Sequence, residues 1–460
     1  MTEKNHGHGS LSAKAGPENN VSFLTGFSAD KYARLQFAEP EEVRQVQNRL
    51  FLNHLRYTLA RSEFYRKKFA EQNIGADEIQ SLTDLVRLPI TNKSDLEDTT
   101  RFCCADQADI VDISLTSATS GSIPTMIPLT GSDLSRLACN EEVALGMAGI
   151  EKTDTLLVCA ALDRCFMAGM AYFLGGAKLS ATMVRAGSGS ASQHWELIKR
   201  TRTTAVVGVP SLMYKIGQFA LEQDEDPADS PVKKLIAIGE PTRDQTLALL
   251  PISEELESMW DAKIFSTYAS SEMATTFCEC RARAGGHLRP ELIVTEILDG
   301  EGKAVPAGEI GEVVVTPLGV TGMPLIRFRT GDLSYLIDSP CACGRKTPRL
   351  APVIGRKNQM LKYKGTSLYP NAVLSALEGD ERFHGGYVEA RRHPDGTDRV
   401  ILFAAMNGLG EPEGSAWITA RLRAALRVVP EIRIIPPEQA DAKVYQFHEK
   451  RKRITFFDQR

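Results

Sequence analysis

The chain has no uninterrupted apolar run of membrane-spanning length: its best is the short stretch from Thr155 to Ala161, where a span needs about 20 apolar residues. It also has no dominant charge sign, since 54 Lys and Arg stand against 58 Asp and Glu for a formal net charge of −4. That balance offers no electrostatic footprint for nucleic acid or for an anionic membrane surface. Residues 1–20 contain no apolar stretch of the kind a secretory signal needs, so a cytoplasmic protein is expected, and residues 1–25 are expected to form a flexible tail. There is no internal repeat. Nine cysteines are an odd number; that argues against a disulfide framework, and in a reducing compartment a cluster of them points to metal.

What is present is enough for more than one core. A chain of 460 residues exceeds what a single hydrophobic interior usually organises, so two or more domains are expected. Apolar residues recur at helical spacing from Glu42 to Gln72 (Val43, Val46, Leu50, Leu55, Leu59, Phe64, Phe69), predicting two amphipathic helices. Between Leu156 and Val315, short β-rich runs (Leu156–Cys159, Ala205–Gly208, Lys234–Ile238, Glu312–Val315) alternate with longer helical patterns. This predicts an α/β fold with mixed or parallel sheets covered by helices. The composition turns polar around Val353–Asn358 before new short strands at Arg399–Phe403 and Glu431–Ile435. A boundary there leaves a C-terminal module of ordinary domain size.

Five constellations carry candidate chemistry. In Leu325–Leu333, Asp332 follows Gly331 and is read as lying on a glycine-broken turn. Its two acceptor oxygens suit a ribose hydroxyl pair, or it is a solvated turn aspartate. The hydroxyl-rich loop Thr116, Ser117, Ala118, Thr119, Ser120, Gly121 could wrap a polyphosphate with its backbone N–H groups, or it is a solvated connection. It carries no lysine to supply counter-charge. In Phe265–Glu272, Glu272 is a candidate Mg²⁺ ligand and Tyr268 a candidate base-stacking ring; the alternative is a helix-start glutamate and a buried tyrosine. Cys278, Cys280, His287, Cys341 and Cys343 offer soft ligands suited to a closed, structural zinc site, with buried free thiols as the alternative. Finally, in Glu449–Arg453 one lysine could stabilise charge developing in a transition state, or the run is a solvated tail.

In order and spacing these pieces resemble the adenylate-forming enzymes, and within them the phenylacetate-CoA ligase-like branch. The likeness starts at Phe64-Tyr-Arg and Ser81–Asp95. It continues through the hydroxyl loop, Gly208–Ser211, Ile238–Pro241, Tyr268–Glu272, Arg327–Asp332, Cys341–Arg345 and Gly355-Arg356 to the terminal lysines. It therefore covers about residues 42–460. The resemblance implies a large N-terminal AMP-binding domain of mixed sheets and helices (26–355) and a small mobile α+β C-terminal domain (356–460). It implies a two-step reaction: a carboxylate attacks the α-phosphate of ATP with Mg²⁺ to give acyl-AMP, then a thiol, usually coenzyme A, displaces AMP.

Carried onto this chain, Thr116 to Gly121 would cradle the phosphates, Gly239, Glu240 and Pro241 with Tyr268 would flank adenine, and Glu272 would hold Mg²⁺. Asp332 would take the ribose hydroxyls beside Arg356, and Lys450 would be the catalytic lysine, with Lys452 as the alternative register. Phe166, Gly208, Pro210, Ile238 and Ala269 would border the acid, and Cys280, His287, Cys341 and Cys343 fit a zinc site found in some members of the branch, leaving Cys278 spare. Departures from the family pattern are Ser122-Ile123-Pro124 in place of Lys-Pro after the loop glycine, Lys357-Asn358-Gln359 in place of an Asp-Asp hinge, and Glu449 in place of a glycine. The expected activity is an acid:CoA ligase for an aromatic or cyclic acid. The alternatives are a ligase passing the acyl group to an amine, one loading a carrier-protein thiol, or a scaffold that kept the fold without the chemistry. A homodimer stays open.

Overall fold

The computed structural model describes residues 34–116, 124–363, 366–392, 398–426, 428–445 and 454–460. Two helices open it, Pro40–Arg61 and Glu63–Glu71, as the helical periodicity predicted. Ser62 separates them: its hydroxyl accepts from Tyr65 N and caps the second helix, a standard use of serine at an N-cap.

The centre is a six-stranded sheet in the order Thr182–Arg185, Thr155–Val158, Ala205–Gly208, Lys234–Ala237, Lys263–Ser270, Thr275–Cys278. Its first five strands are parallel and the last runs antiparallel. Leu157, Val206, Leu235 and Ile264 stand in register across it and pack with Trp195, Met213, Ile216 and Trp260 from the helices Ala191–Thr201, Pro210–Glu222 and Pro251–Trp260. The alternate residues Leu156, Val158, Ala205, Val207 and Ile236 face the other side, against Leu145 and Tyr172 of Gly131–Met147 and Met167–Lys178. Burial on both faces explains why these strands read as unbroken apolar runs.

Glu312–Val315 belongs elsewhere. It lies in the strand Gly311–Pro317 of an antiparallel sheet ordered Ile293–Leu298, Gly311–Pro317, Phe328–Ser334, Gly355–Arg356. Its neighbours in sequence are joined by loops rather than by covering helices. A separate hydrophobic cluster, with Leu361, Val388, Ala390, Val400, Leu402, Ile418 and Leu422 in its interior, belongs to a last sheet of Glu431–Ile434, Asp398–Met406, Phe383–Arg392 and Phe456–Gln459. The chain crosses into it between Arg356 and Leu361. Among the described residues, no helix is long and apolar enough to cross a membrane.

Candidate active site

The parallel strands set the site. Gly208, Ile238–Pro241 and Tyr268–Ala269 all follow or end strands of one direction, so they gather at the carboxyl edge of the sheet, where open α/β sheets place their ligands. Ile238 N donates to Gly208 O at 3.0 Å. Gly239 then turns with φ +70°, a left-handed conformation that suits glycine. Glu240 has a structural duty: its carboxylate accepts from Ser211 N at 2.9 Å and from Ser211 Oγ at 2.7 Å. An acid at the start of the helix Pro210–Glu222 also complements its dipole.

Asp332 is not on a turn. It lies within the strand Phe328–Ser334, which pairs Arg329 with Val314 and Leu333 with Glu312. Three residues, Thr330, Gly331 and Asp332, therefore oppose Val313 alone, and Gly331 takes φ +77° to absorb the excess. The bulge is pinned by Thr330, whose hydroxyl donates to Val313 O at 2.9 Å and accepts from Asp332 N at 3.1 Å. Bulges re-aim side chains next to active sites. Here Asp332 Oδ2 receives the Tyr268 hydroxyl at 2.8 Å, and Oδ1 lies 3.2 Å from Arg356 Nε on the adjoining strand. Burial, together with the Asp332 carboxylate, pushes the Tyr268 hydroxyl well above its ordinary range, so it stays a donor. The Tyr268 ring stacks on Phe277 at 6.0 Å between centroids.

These groups line one cavity of about 1050 Å³, which includes Gly239, Glu240, Pro241, Tyr268, Ala269, Asp332 and Arg356. Its size lies just above the usual range for small-molecule sites, about 300–1,000 Å³. The lining also takes in Tyr369, Asn371 and Arg421, which follow the crossing between Arg356 and Leu361. Phe166, Gly208, Pro210 and Ile238 are not part of its lining; of the expected acid-pocket residues Ala269 alone is. Phe166 is exposed and precedes the helix Met167–Lys178. Pro210 is buried as the first residue of its helix.

Glu272 stands on the turn after Lys263–Ser270. That turn is closed by Ala274 N to Ser270 O at 3.2 Å and held from beneath by the buried Arg136, which donates to Ala274 O and, at 2.9 Å, to Thr275 Oγ1. Lys93 Nζ lies 3.8 Å from Glu272 Oε1. One nearly buried carboxylate fits Mg²⁺, which is commonly held by one or two carboxylates plus phosphate oxygens. Thr116 is a clamp: its N donates to Thr125 O and its hydroxyl accepts from Thr125 N, both at 3.0 Å. This closes the neck of the hairpin Ile110–Leu115 and Met126–Thr130. Ser117, Thr119, Ser120 and Gly121 lie outside the described residues, as do Lys450 and Lys452.

Thr91, Lys93, Arg243 and Glu279 were missed as site residues. Thr91 bridges to Phe328, exchanging backbone bonds with Arg327 O (3.0 Å) and Arg329 N (2.9 Å), and so ties the segment carrying Lys93 to the strand carrying Asp332. Periodicity holds no signal for such long-range pairing. The segment Ser81–Asp95 was legible as part of the family likeness, but neither Thr91 nor Lys93 was singled out within it.

The ligand atoms of Cys280, His287, Cys341 and Cys343 lie within 4.8 Å of one another. Cys280 Sγ and Cys341 Sγ are 3.6 Å apart, and Cys343 Sγ is 3.3 Å from His287 Nε2. Tetrahedral zinc with bonds of about 2.3 Å to sulfur and about 2.0–2.1 Å to nitrogen has edges of roughly 3.8 Å and 3.5 Å, so the set fits. His287 Nδ1 faces Thr347 Oγ1 at 3.3 Å, the kind of outer contact that orients a ligating ring. Burial lowers the His287 pKa to about 4, keeping the ring neutral and its lone pair available. Burial opposes ionisation of the Cys343 thiol, yet hydrogen bonds from Arg345 hold it below the usual thiol range. Cys278 is outside the set: it ends the strand Thr275–Cys278, is buried, and donates to Glu279 O at 3.3 Å.

The sequence between residues 40 and 323 matches the AMP-binding enzyme family. The chain belongs to that family, the adenylate-forming enzymes. Within it the chain falls in the phenylacetate-CoA ligase-like branch, as an ATP-dependent acyl-adenylate-forming ligase. It is 27% identical over 344 residues to the phenylacetate-coenzyme A ligase of Thermus thermophilus, covering 73% of this chain and 75% of that one. It is 26% identical over 349 residues to the enzyme of the same name from Pseudomonas putida, covering 74% and 76%. In fold it resembles a 2-hydroxyisobutyryl-CoA ligase in the postadenylation state, with a TM-score of 0.80 and 22% identity over 93% of this chain and 92% of that one. A further likeness in fold is the amide bond synthetase from Marinactinospora thermotolerans, at a TM-score of 0.53 and 17% identity over 72% and 66%.

Proposed function

We propose that this chain activates an aromatic or cyclic carboxylic acid with ATP and transfers the acyl group to coenzyme A. The observation that carries this reading is the Tyr268–Asp332–Arg356 constellation at the carboxyl edge of the sheet, opening on a cavity with room for a nucleotide. The named relatives act on phenylacetate and coenzyme A, which supports both the ring-bearing acid and the thiol acceptor.

In this reading Asp332, with Tyr268 and Arg356 fixing its two oxygens, takes the ribose hydroxyls. The backbone at Gly239–Pro241 and the Tyr268 ring flank adenine. Thr116 braces the loop through Gly121 that holds the phosphates. Glu272 holds Mg²⁺, which would neutralise phosphate charge, and Lys93 beside it adds a second positive charge. Residues 356–460 form a mobile unit that brings Lys450 to the carboxylate and α-phosphate, where two anions are forced together and a cation lowers the barrier. The four-ligand Cys and His set holds structural zinc.

The test is a product assay with ATP, Mg²⁺, a panel of aryl and cyclic acids, and either coenzyme A, amines or a carrier protein. Acid-dependent pyrophosphate release with a CoA thioester by mass is expected. An amide, or an acylated carrier protein, would replace the acceptor, and no acid-dependent release with any acid overturns the whole reading. Lys450→Ala should slow adenylation on the order of 10²–10³-fold while nucleotide affinity changes little. Unchanged turnover would remove Lys450 from the mechanism.

A further inference from the structure

Glu279 sits between the metal cluster and the cavity. Its neighbour Cys280 is one of the four metal-site residues. Residues 278–287 form a short hairpin closed by the bridge between Glu279 and Gly286, with Cys280 and His287 on its two arms. The Glu279 carboxylate is buried and gathers three separate segments. Arg243 donates to it through Nε at 2.7 Å and Nη2 at 3.3 Å, Ser266 N donates at 2.9 Å, and Gly285 N at 3.4 Å. Arg243 belongs to the loop that begins Gly239-Glu240-Pro241, and its Nη1 donates to Leu247 O at 3.1 Å. Ser266 lies two residues before Tyr268 on the same strand. Glu279, Arg243, Ser266 and Gly285 also line the cavity.

One carboxylate thus sets the spacing between the metal-site hairpin and two cavity walls, the loop from Gly239 and the strand carrying Tyr268. A metal held by Cys280, His287, Cys341 and Cys343 would tie both hairpin arms to the segment of Cys341 and Cys343 and so steady the frame on which that carboxylate stands. Without metal the hairpin keeps its Glu279–Gly286 bridge, its pairing with Arg349–Leu350 and the bond from Glu279 N to Ser266 O at 3.0 Å, but it loses the tie from Cys280 and His287 to Cys341 and Cys343, and the carboxylate that receives Arg243 and Ser266 N stands on a looser frame.

We propose that the metal centre and the nucleotide cavity are energetically linked through Glu279 and Arg243, which act as positioning residues, so that metal and adenine nucleotide each tighten the binding of the other. The proposal rests on the reading of the cavity as the nucleotide site. Linkage is reciprocal, so the effect can be read at the metal, away from catalysis.

The experiment uses the full zinc-loaded chain and follows zinc capture by a chromogenic chelator, at concentrations where the rate no longer depends on chelator. Saturating AMP should slow zinc release about fivefold or more, a typical size for coupling between sites, while GMP, which carries the same phosphate, should not. In Glu279→Gln and Arg243→Lys, checked for zinc content and circular dichroism, the slowing should shrink or vanish although AMP still binds. A wild-type rate unaffected by AMP, with AMP binding measured by calorimetry, overturns the linkage. Equal slowing in both variants and wild type overturns the role of the pair. No calorimetric AMP binding overturns the nucleotide reading itself, and the linkage with it.

Discussion

At Asp332 one carboxylate is committed on both oxygens before any ligand arrives, to Tyr268 at 2.8 Å and Arg356 at 3.2 Å. Such pre-orientation lowers the entropy of holding a nucleotide. Asp332→Asn keeps the shape but loses the charge, and hydrogen bonds to charged groups are each worth roughly 1.5–3 kcal/mol. Its KM for ATP should therefore rise on the order of 10- to 100-fold with secondary structure unchanged, as steady-state kinetics and circular dichroism would show. Glu141 poses a different question. It is fully buried, and burial raises its pKa to about 7 although Thr276 Oγ1 and, at 3.0 Å, Asn140 Nδ2 donate to it. A carboxyl group that holds its proton more tightly when folded contributes stability that is complete below its unfolded value near 4.5 and is lost as pH rises through about 7. Glu141→Gln should remove that dependence. Its stability relative to wild type should climb between about pH 5 and 7, by on the order of 1–3 kcal/mol, in urea titrations at each pH.

At the scale of elements, the helix Glu63–Glu71 is joined through one hydroxyl to Thr91 and to Ile326, two residues before the Asp332 strand. Tyr65 is completely buried; its O–H donates to Thr91 Oγ1 at 2.9 Å and accepts from Ile326 N at 2.7 Å, while Thr91 Oγ1 donates to Ile326 O at 2.7 Å. Tyr65→Phe leaves a buried donor without this acceptor and should cost about 1–3 kcal/mol in chemical denaturation. An unchanged denaturation midpoint would mean the clamp carries no load. Legibility differed among elements. The two N-terminal helices and three of the five parallel strands were readable because one-sided and two-sided burial leave distinct periods in the sequence, whereas the edge strand Thr182–Arg185 was not read as one. The Asp332 bulge was not: a glycine between polar residues reads as a turn, and only pairing with Glu312 and Val314 on one side and Arg356 on the other makes it a strand.

At the scale of the whole molecule, the metal cluster joins segments that are distant in sequence. Cys280 and His287 come from a hairpin beside the six-stranded sheet, and Cys341 and Cys343 from the connection between Leu336–Ile337 and Arg349–Leu350, the latter paired with Gly286–His287. Purified protein should contain about one zinc per chain by elemental analysis. Stripping it with a strong chelator should lower the thermal midpoint on the order of 10 °C, since structural zinc contributes folding free energy directly. A metal-free chain with an unshifted midpoint would leave four thiol and imidazole groups with no structural role.

The sequence by itself determined the elements whose signals are local, through their apolar period, and the order of motifs that marks the adenylate-forming family. It also pointed to the four side chains that cluster, Cys280, His287, Cys341 and Cys343, because soft ligands are rare enough to notice. What only the tertiary structure decided is which of these groups meet. Glu240 faces Ser211, Thr116 clamps Thr125, Cys278 drops out of the metal set, and Glu279 joins the metal hairpin to Arg243. Each of those outcomes depends on strand register and on loops folding back across tens to hundreds of residues. Hydrogen bonds and ion pairs are short-ranged, so their partners are settled by the packed backbone and leave no trace in the neighbouring sequence.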